Sequence, residues 1–150
     1  MKFKKVDAQG KYKLLPGIFL LCVLFSLFSC AHWFGFPSYY DPTTYKNLTD
    51  LKPEVAMLYE TFTSAQVDSQ QVNKIRLKLA QIYEYEKGKG EDNQETTQQI
   101  KIIREMFVRH LEDRLPNGKW SSVHLENVLQ NMDQAFDLTI QTERLKNKNE

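Results

Sequence analysis

The sequence predicts an all-α fold, an antiparallel up-down-up-down four-helix bundle that follows an N-terminal apolar segment. Three observations predict it. Four stretches between residues 48 and 145 carry apolar residues at alternating intervals of three and four, the spacing of one face of an α-helix. Each stretch is bracketed by capping or breaking residues, and the connections are short, which favours antiparallel neighbours. No period-2 run bounded by turns marks a strand.

The first helix is expected from about Thr49 to Thr63. Asp50 reads as its N-cap, with Pro53 in the first turn, where a missing N–H costs nothing. Leu48, Leu51, Val55, Leu58 and Phe62 make its stripe. The second is expected from Ser69 to Lys87, with Asp68 and Gln71 as a capping box. Its face is Val72, Ile75, Leu79, Ile82 and Glu86, widened by Ala80 and Tyr83, and Gly88 and Gly90 stop it. The third runs from Gln94 to Leu115, capped by Asp92 or Asn93, with Asp92 and Glu95 as a capping box; Ile100, Ile103, Phe107 and Leu111 form its stripe, and Pro116-Asn117-Gly118 ends it in a tight turn. The fourth runs from Ser122 to Arg144, capped by Ser121, with Trp120 packing back on Leu125. Leu125, Val128, Leu129, Met132, Phe136 and Ile140 face its core, and residues 146–150 are a polar tail that frays.

Before the helices lies a different chemistry. Lys2, Lys4, Lys5, Lys11 and Lys13 precede an apolar run from Leu14 to Ser29. These 16 residues fall short of the ~20 that cross a bilayer as a helix. A basic start and a short apolar run are the form of a secretory signal. The run closes on Leu27-Phe28-Ser29-Cys30, which resembles the lipobox of bacterial lipoproteins: an aliphatic residue, a small residue just before the end, then cysteine. Phe28 is bulkier than that pattern's usual residue. The resemblance implies that a diacylglycerol is transferred to the Cys30 thiol, that residues 1–29 are removed, and that residues 30–47 become a lipidated tether ahead of a bundle domain, residues 48–145. It also implies a bacterial cell-envelope location, held to the membrane by the acyl chains on Cys30. Similarity to enterobacterial lipoproteins, with Ala31 rather than Asp after the cysteine, favours the outer membrane facing the periplasm, with the inner membrane as the other choice.

Two other readings of the run stay open. Counted through Phe36 it is 23 residues, enough for an uncut single-pass anchor with Trp33 at the interface. Ser29 and Ala31 also suit an ordinary signal peptidase cutting before His32. The tether mixes Gly35, Pro37 and Pro42 with aromatic residues; Trp33, Phe34 and Phe36 suit a membrane interface, and Tyr39, Tyr40 and Tyr45 suit packing on the domain.

Charge and cysteine content narrow the function classes. The chain of 150 residues has net charge +1, but residues 1–30 hold five Lys and one Asp. The remaining 15 basic and 18 acidic residues give −3, which does not suggest nucleic acid as a partner. The only cysteines are Cys22 and Cys30, so a domain released from residues 1–29 has no disulfide and no Cys-based metal or thiol chemistry.

Candidate chemistry is sparse. A di-metal bundle needs Glu-x-x-His motifs, and no Glu stands three residues before a His after residue 30. His110 and Asp113 are one turn apart, His124 and Glu126 are two residues apart, and His32 lies in the tether. Ser121, Ser122 and His124 fall at a helix start, where capping accounts for the serines. Gly88-Lys89-Gly90 lacks the spacing of a phosphate loop. No catalytic, cofactor or metal residues are therefore assigned. The expected function is a non-enzymatic lipoprotein whose helical domain binds a protein partner or supports an envelope assembly. The alternative is an apolar-ligand binder with a cavity lined by Met57, Met106 and Met132. A surplus apolar side on the third or fourth helix would be a partner surface.

Overall fold

The computed structural model describes residues 39–146; Cys30 and the rest of the N-terminal run lie outside them. The described residues form a helical bundle: α1 (Pro42–Glu60), α2 (Ser69–Lys87), α3 (Gln94–Asn117) and α4 (Ser122–Leu145). Short 3₁₀ turns at Thr61–Thr63 and Glu91–Asn93 join onto α1 and α3. No strand occurs among the described residues. Helix α1 packs on α2 and α4, and α3 packs on the same two.

Helix α1 starts earlier than the sequence reading places it. Asp41, not Asp50, is the N-cap: its carboxylate accepts from the Thr43 N–H at 2.8 Å, and Pro42 occupies the first helical position. Asp-Pro reads as a breaker pair, yet the same pair serves as cap and first residue, because proline's fixed φ suits a helix start. Residues 42–47, expected in the tether, are therefore helical, and Pro53 sits in the helix interior. Asp50 lies on the exposed face, paired with Lys46 one turn back. Helix α1 hands its last buried residue, Phe62, to the 3₁₀ turn.

Helix α2 has the expected bounds, and Asp68 accepts from the N–H groups of Gln70 and Gln71. Gly88 remains right-handed, whereas Gly90 takes φ 87°, a conformation that side chains oppose. The Asp92–Glu95 capping box does not form. A 3₁₀ turn leads into α3 instead, and Asn93 spends its side chain on Glu86. Helix α3 continues through Pro116 to Asn117, two residues past the expected end, and Gly118 at φ 83° stops it. Pro116 has no N–H for the Glu112 carbonyl four residues back, and the helix ends one residue after it. Ser121 caps α4 as expected, accepting from the His124 N–H at 3.2 Å.

The four stripes converge on one core. Leu51, Val55 and Leu58 of α1, Ile75 and Leu79 of α2, Ile100, Ile103 and Phe107 of α3, and Met132 and Phe136 of α4 are all buried. Among the described residues, no helix is long and apolar enough to cross a membrane.

Candidate functional site

Polar groups gather at two places, one at each end of α1. At its start stands a buried charged clasp. Glu86 of α2 and Glu143 of α4 are both fully buried, which carboxylates tolerate only when partnered. Glu86 accepts from the Thr44 hydroxyl, from Asn93 Nδ2 at 2.7 Å and from Lys89 Nζ at 3.0 Å. Glu143 accepts the Asp41 backbone N–H at 2.6 Å, and Lys146 Nζ lies 2.7 Å from its other oxygen. Lys146 also donates to Asn93 Oδ1. Lys89 reaches the Asp41 carboxylate at 2.6 Å, and the Tyr85 hydroxyl donates to it at 2.7 Å. The first turn of α1 is thus tied to the ends of α2 and α4 and to the turn before α3.

Electrostatics follow from this geometry. Burial pushes the Asp41 carboxyl up, but Lys89, Tyr85 and the Thr43 N–H outweigh it and hold the group well below the usual carboxylate range. Burial also opposes charge on Lys89, and its hydrogen bonds to Asp41 and Glu86 more than offset this, raising its pKa. Each carboxylate of the clasp faces an ammonium, an arrangement suited to locking helix ends together.

At the other end of α1 lies an aromatic cluster. Trp120 packs edge-on against Tyr59, Phe62, His110 and His124, with ring centres 4.9–6.2 Å apart. The Tyr59 hydroxyl meets His110 Nδ1 at 2.8 Å. Trp120 Nε1 donates to Asp113 at 2.8 Å, and His124 Nε2 lies 3.3 Å from the same carboxylate oxygen. Buried Arg114 donates to the Phe62 carbonyl at 2.9 Å and to the Ser64 carbonyl, tying down the 3₁₀ turn that follows α1.

The residues singled out in the sequence are distributed as follows. His110 faces Tyr59 rather than carboxylates, and Asp113 turns to Trp120 and His124. Among the described residues, no group of three or more His, Cys, Asp or Glu is arranged to hold a metal ion. Ser121 spends its hydroxyl oxygen on the His124 N–H, and His124 itself is exposed. Met132 is in the core, Met106 is half-buried, and Met57 is 65% exposed, so the three do not line one interior void. Cys30 and His32 lie outside the described residues. The sequence reading missed the clasp. Its signal was present in Glu86, a charged residue in the apolar register of α2, and in Glu143, seven residues after Phe136 on α4.

The aromatic end gives a pH dependence with a definite sign. Burial lowers the His110 pKa below 6.5, helped by Arg109 and His124 and opposed by Asp113. Its stabilising contribution is then full above pH 6.5 and is lost as pH falls through the lower folded value. Asp41 and Asp113 are both held below 3.8, so their contributions persist to lower pH and vanish only under stronger acid. Circular-dichroism melts of the parent protein and His110→Gln should therefore diverge most at neutral pH and converge as the pH falls below 6.5. A difference that stays constant below pH 6.5 would contradict the assignment.

No family model matches the chain. No curated protein is similar to it, and no solved structure matches it.

Proposed function

We propose that the protein is a bacterial lipoprotein: a non-enzymatic helical module, displayed in the cell envelope through lipid on Cys30, that binds a protein partner or supports an envelope assembly. The observation that carries this reading is the Leu27-Phe28-Ser29-Cys30 motif, which closes a basic-then-apolar leader. Ten residues separate Cys30 from the Asp41 cap, a short connection between an acylated cysteine and a folded domain. Two acyl chains on one cysteine meet the two-signal requirement for stable anchoring. In this reading the outer membrane is favoured and the domain faces the periplasm.

An up-down-up-down course of the helices belongs to the same proposal. Contacts between the start of α1 and the ends of α2 and α4 support it, as do those between Phe62 and both Arg114 and Trp120. This course sets the clasp at the end where the tether enters, so a pull from the anchor meets the Asp41–Glu143 and Asp41–Lys89 contacts first.

Metabolic labelling with an alkyne analogue of palmitate tests the anchor. The parent protein should take up label, and Cys30→Ala should lose it while retaining residues 1–29. Label persisting in Cys30→Ala would place the lipid elsewhere, and no label in either would reject lipidation.

A further inference from the structure

We propose that Asn117 is a site of spontaneous modification: its side chain cyclises onto the Gly118 backbone nitrogen, loses ammonia and reopens as aspartate or isoaspartate. The inference uses only the end of α3 and is independent of lipid on Cys30.

The sequence singles this position out. Of the asparagines in the chain, only Asn117 precedes a glycine. Cyclisation brings the next residue's nitrogen onto the asparagine Cγ, and a side chain on that next residue stands in the way. Gly118 has none, and no neighbouring atom lies within 4 Å of the place a Cβ would occupy.

The fold leaves the reacting atoms open. Asn117, Gly118 and Lys119 are all exposed. Inside a helix the N–H that follows an asparagine is bonded four residues back, which pins both reacting groups. Asn117 is the last residue of α3, and the Gly118 N–H has no backbone acceptor among the described residues. The residues that follow α1, α2 and α4, by contrast, all donate back into their helices. The other described asparagines are held differently. Asn47, Asn73, Asn127 and Asn131 lie within helices, and Asn93 is buried with its amide on Glu86.

The step balances with water as the only co-reactant. Hydroxide takes the Gly118 N–H proton, and the nitrogen attacks Asn117 Cγ. The new C–N bond closes a succinimide ring, and the Cγ–Nδ2 bond breaks as water protonates the departing nitrogen, releasing ammonia. Water then adds to either ring carbonyl. Opening on one side gives aspartate, and on the other isoaspartate, whose main chain runs through the former side chain.

The consequence follows from the contacts of Asn117. Its amide donates to Asp113 Oδ1 at 3.0 Å, and the other oxygen of Asp113 accepts from Trp120 Nε1 at 2.8 Å. A carboxylate at position 117 cannot donate, and it repels Asp113 one turn away. It also adds negative charge at the helix C-terminus, where the dipole opposes it. Conversion therefore loosens the end of α3 against which Trp120 is held.

Incubation of the full chain in warm, mildly alkaline buffer with detergent, followed by tryptic mapping at mildly acid pH, tests this. Cleavage after Arg114 and Lys119 releases residues 115–119. This peptide should yield aspartyl and isoaspartyl forms, the isoaspartyl form in excess, at a rate that rises with pH. The rate should stay within ~10-fold of that of the same peptide free in solution, a barrier difference below ~1.4 kcal/mol. The peptide of residues 120–144, which holds Asn127 and Asn131, should stay unchanged over the same interval. The aged protein should melt at a lower temperature than the fresh one, as should Asn117→Asp, whereas Asn117→Gln should age without loss. Asn117 intact after the free peptide has converted, aspartate without isoaspartate, or an aged protein that melts with the fresh one would overturn the proposal.

Discussion

Phe107→Ala is expected to destabilise the domain by ~3–5 kcal/mol, the range for deleting a large core aromatic. The ring is 1% exposed and stacks on Tyr59 with centres 5.9 Å apart and planes within 4°. Its loss removes transfer energy and leaves a cavity. Tyr59 is held by His110, and Phe62 by the cluster around Trp120, so the walls cannot simply collapse inward. An ordinary domain has only ~5–15 kcal/mol to lose, so the variant should be marginal at 37 °C. Urea denaturation measures the change. A loss under ~1 kcal/mol would show that position 107 is not in the core.

Glu86→Ala is expected to cost a similar ~3–5 kcal/mol, through a different mechanism. Removing this buried carboxylate takes the nearer acceptor from the Thr44 hydroxyl, which keeps Asp41 Oδ2 at 3.2 Å, and removes one acceptor of Asn93 Nδ2 and one of the two anions facing Lys89. Polar groups that lose a buried partner regain no hydration in exchange. Glu86→Gln separates charge from hydrogen bonding. It keeps an acceptor for Thr44 but removes the attraction to Lys89, so it should cost less than Glu86→Ala. Equal losses in the two variants would mean that the hydrogen bonds at this position contribute nothing.

The fold was legible because apolar periodicity reports burial directly. The stripes of all four helices reappear as core, and Asp68 and Ser121 act as the caps their positions suggest. Misreadings arose where one residue pattern supports two local structures. Asp41-Pro42 is both a breaker pair and a cap followed by a first helical residue, and only packing of Thr44 and Leu48 into the bundle decides between them. Asp92 is a good cap by composition, but Asn93 is drawn to Glu86, and the chain enters α3 through a 3₁₀ turn. The charged clasp was the least legible feature. Its members are spread over residues 41–146, and sequence spacing carries no information on which helix ends meet. The same holds for the pairing of His110 with Tyr59 across 51 residues, which no spacing in the sequence reports.

The lipidated cysteine is the claim from which location and mode of display both follow. Intact mass of the protein extracted from membranes tests it most directly. The account predicts a chain that begins at Cys30, shorter than the translated sequence by 29 residues and heavier than its own sequence by the acyl groups. A full-length chain with an unmodified Cys30 thiol would contradict it and establish an uncut anchor, and a chain beginning at His32 would contradict it in favour of a secreted domain.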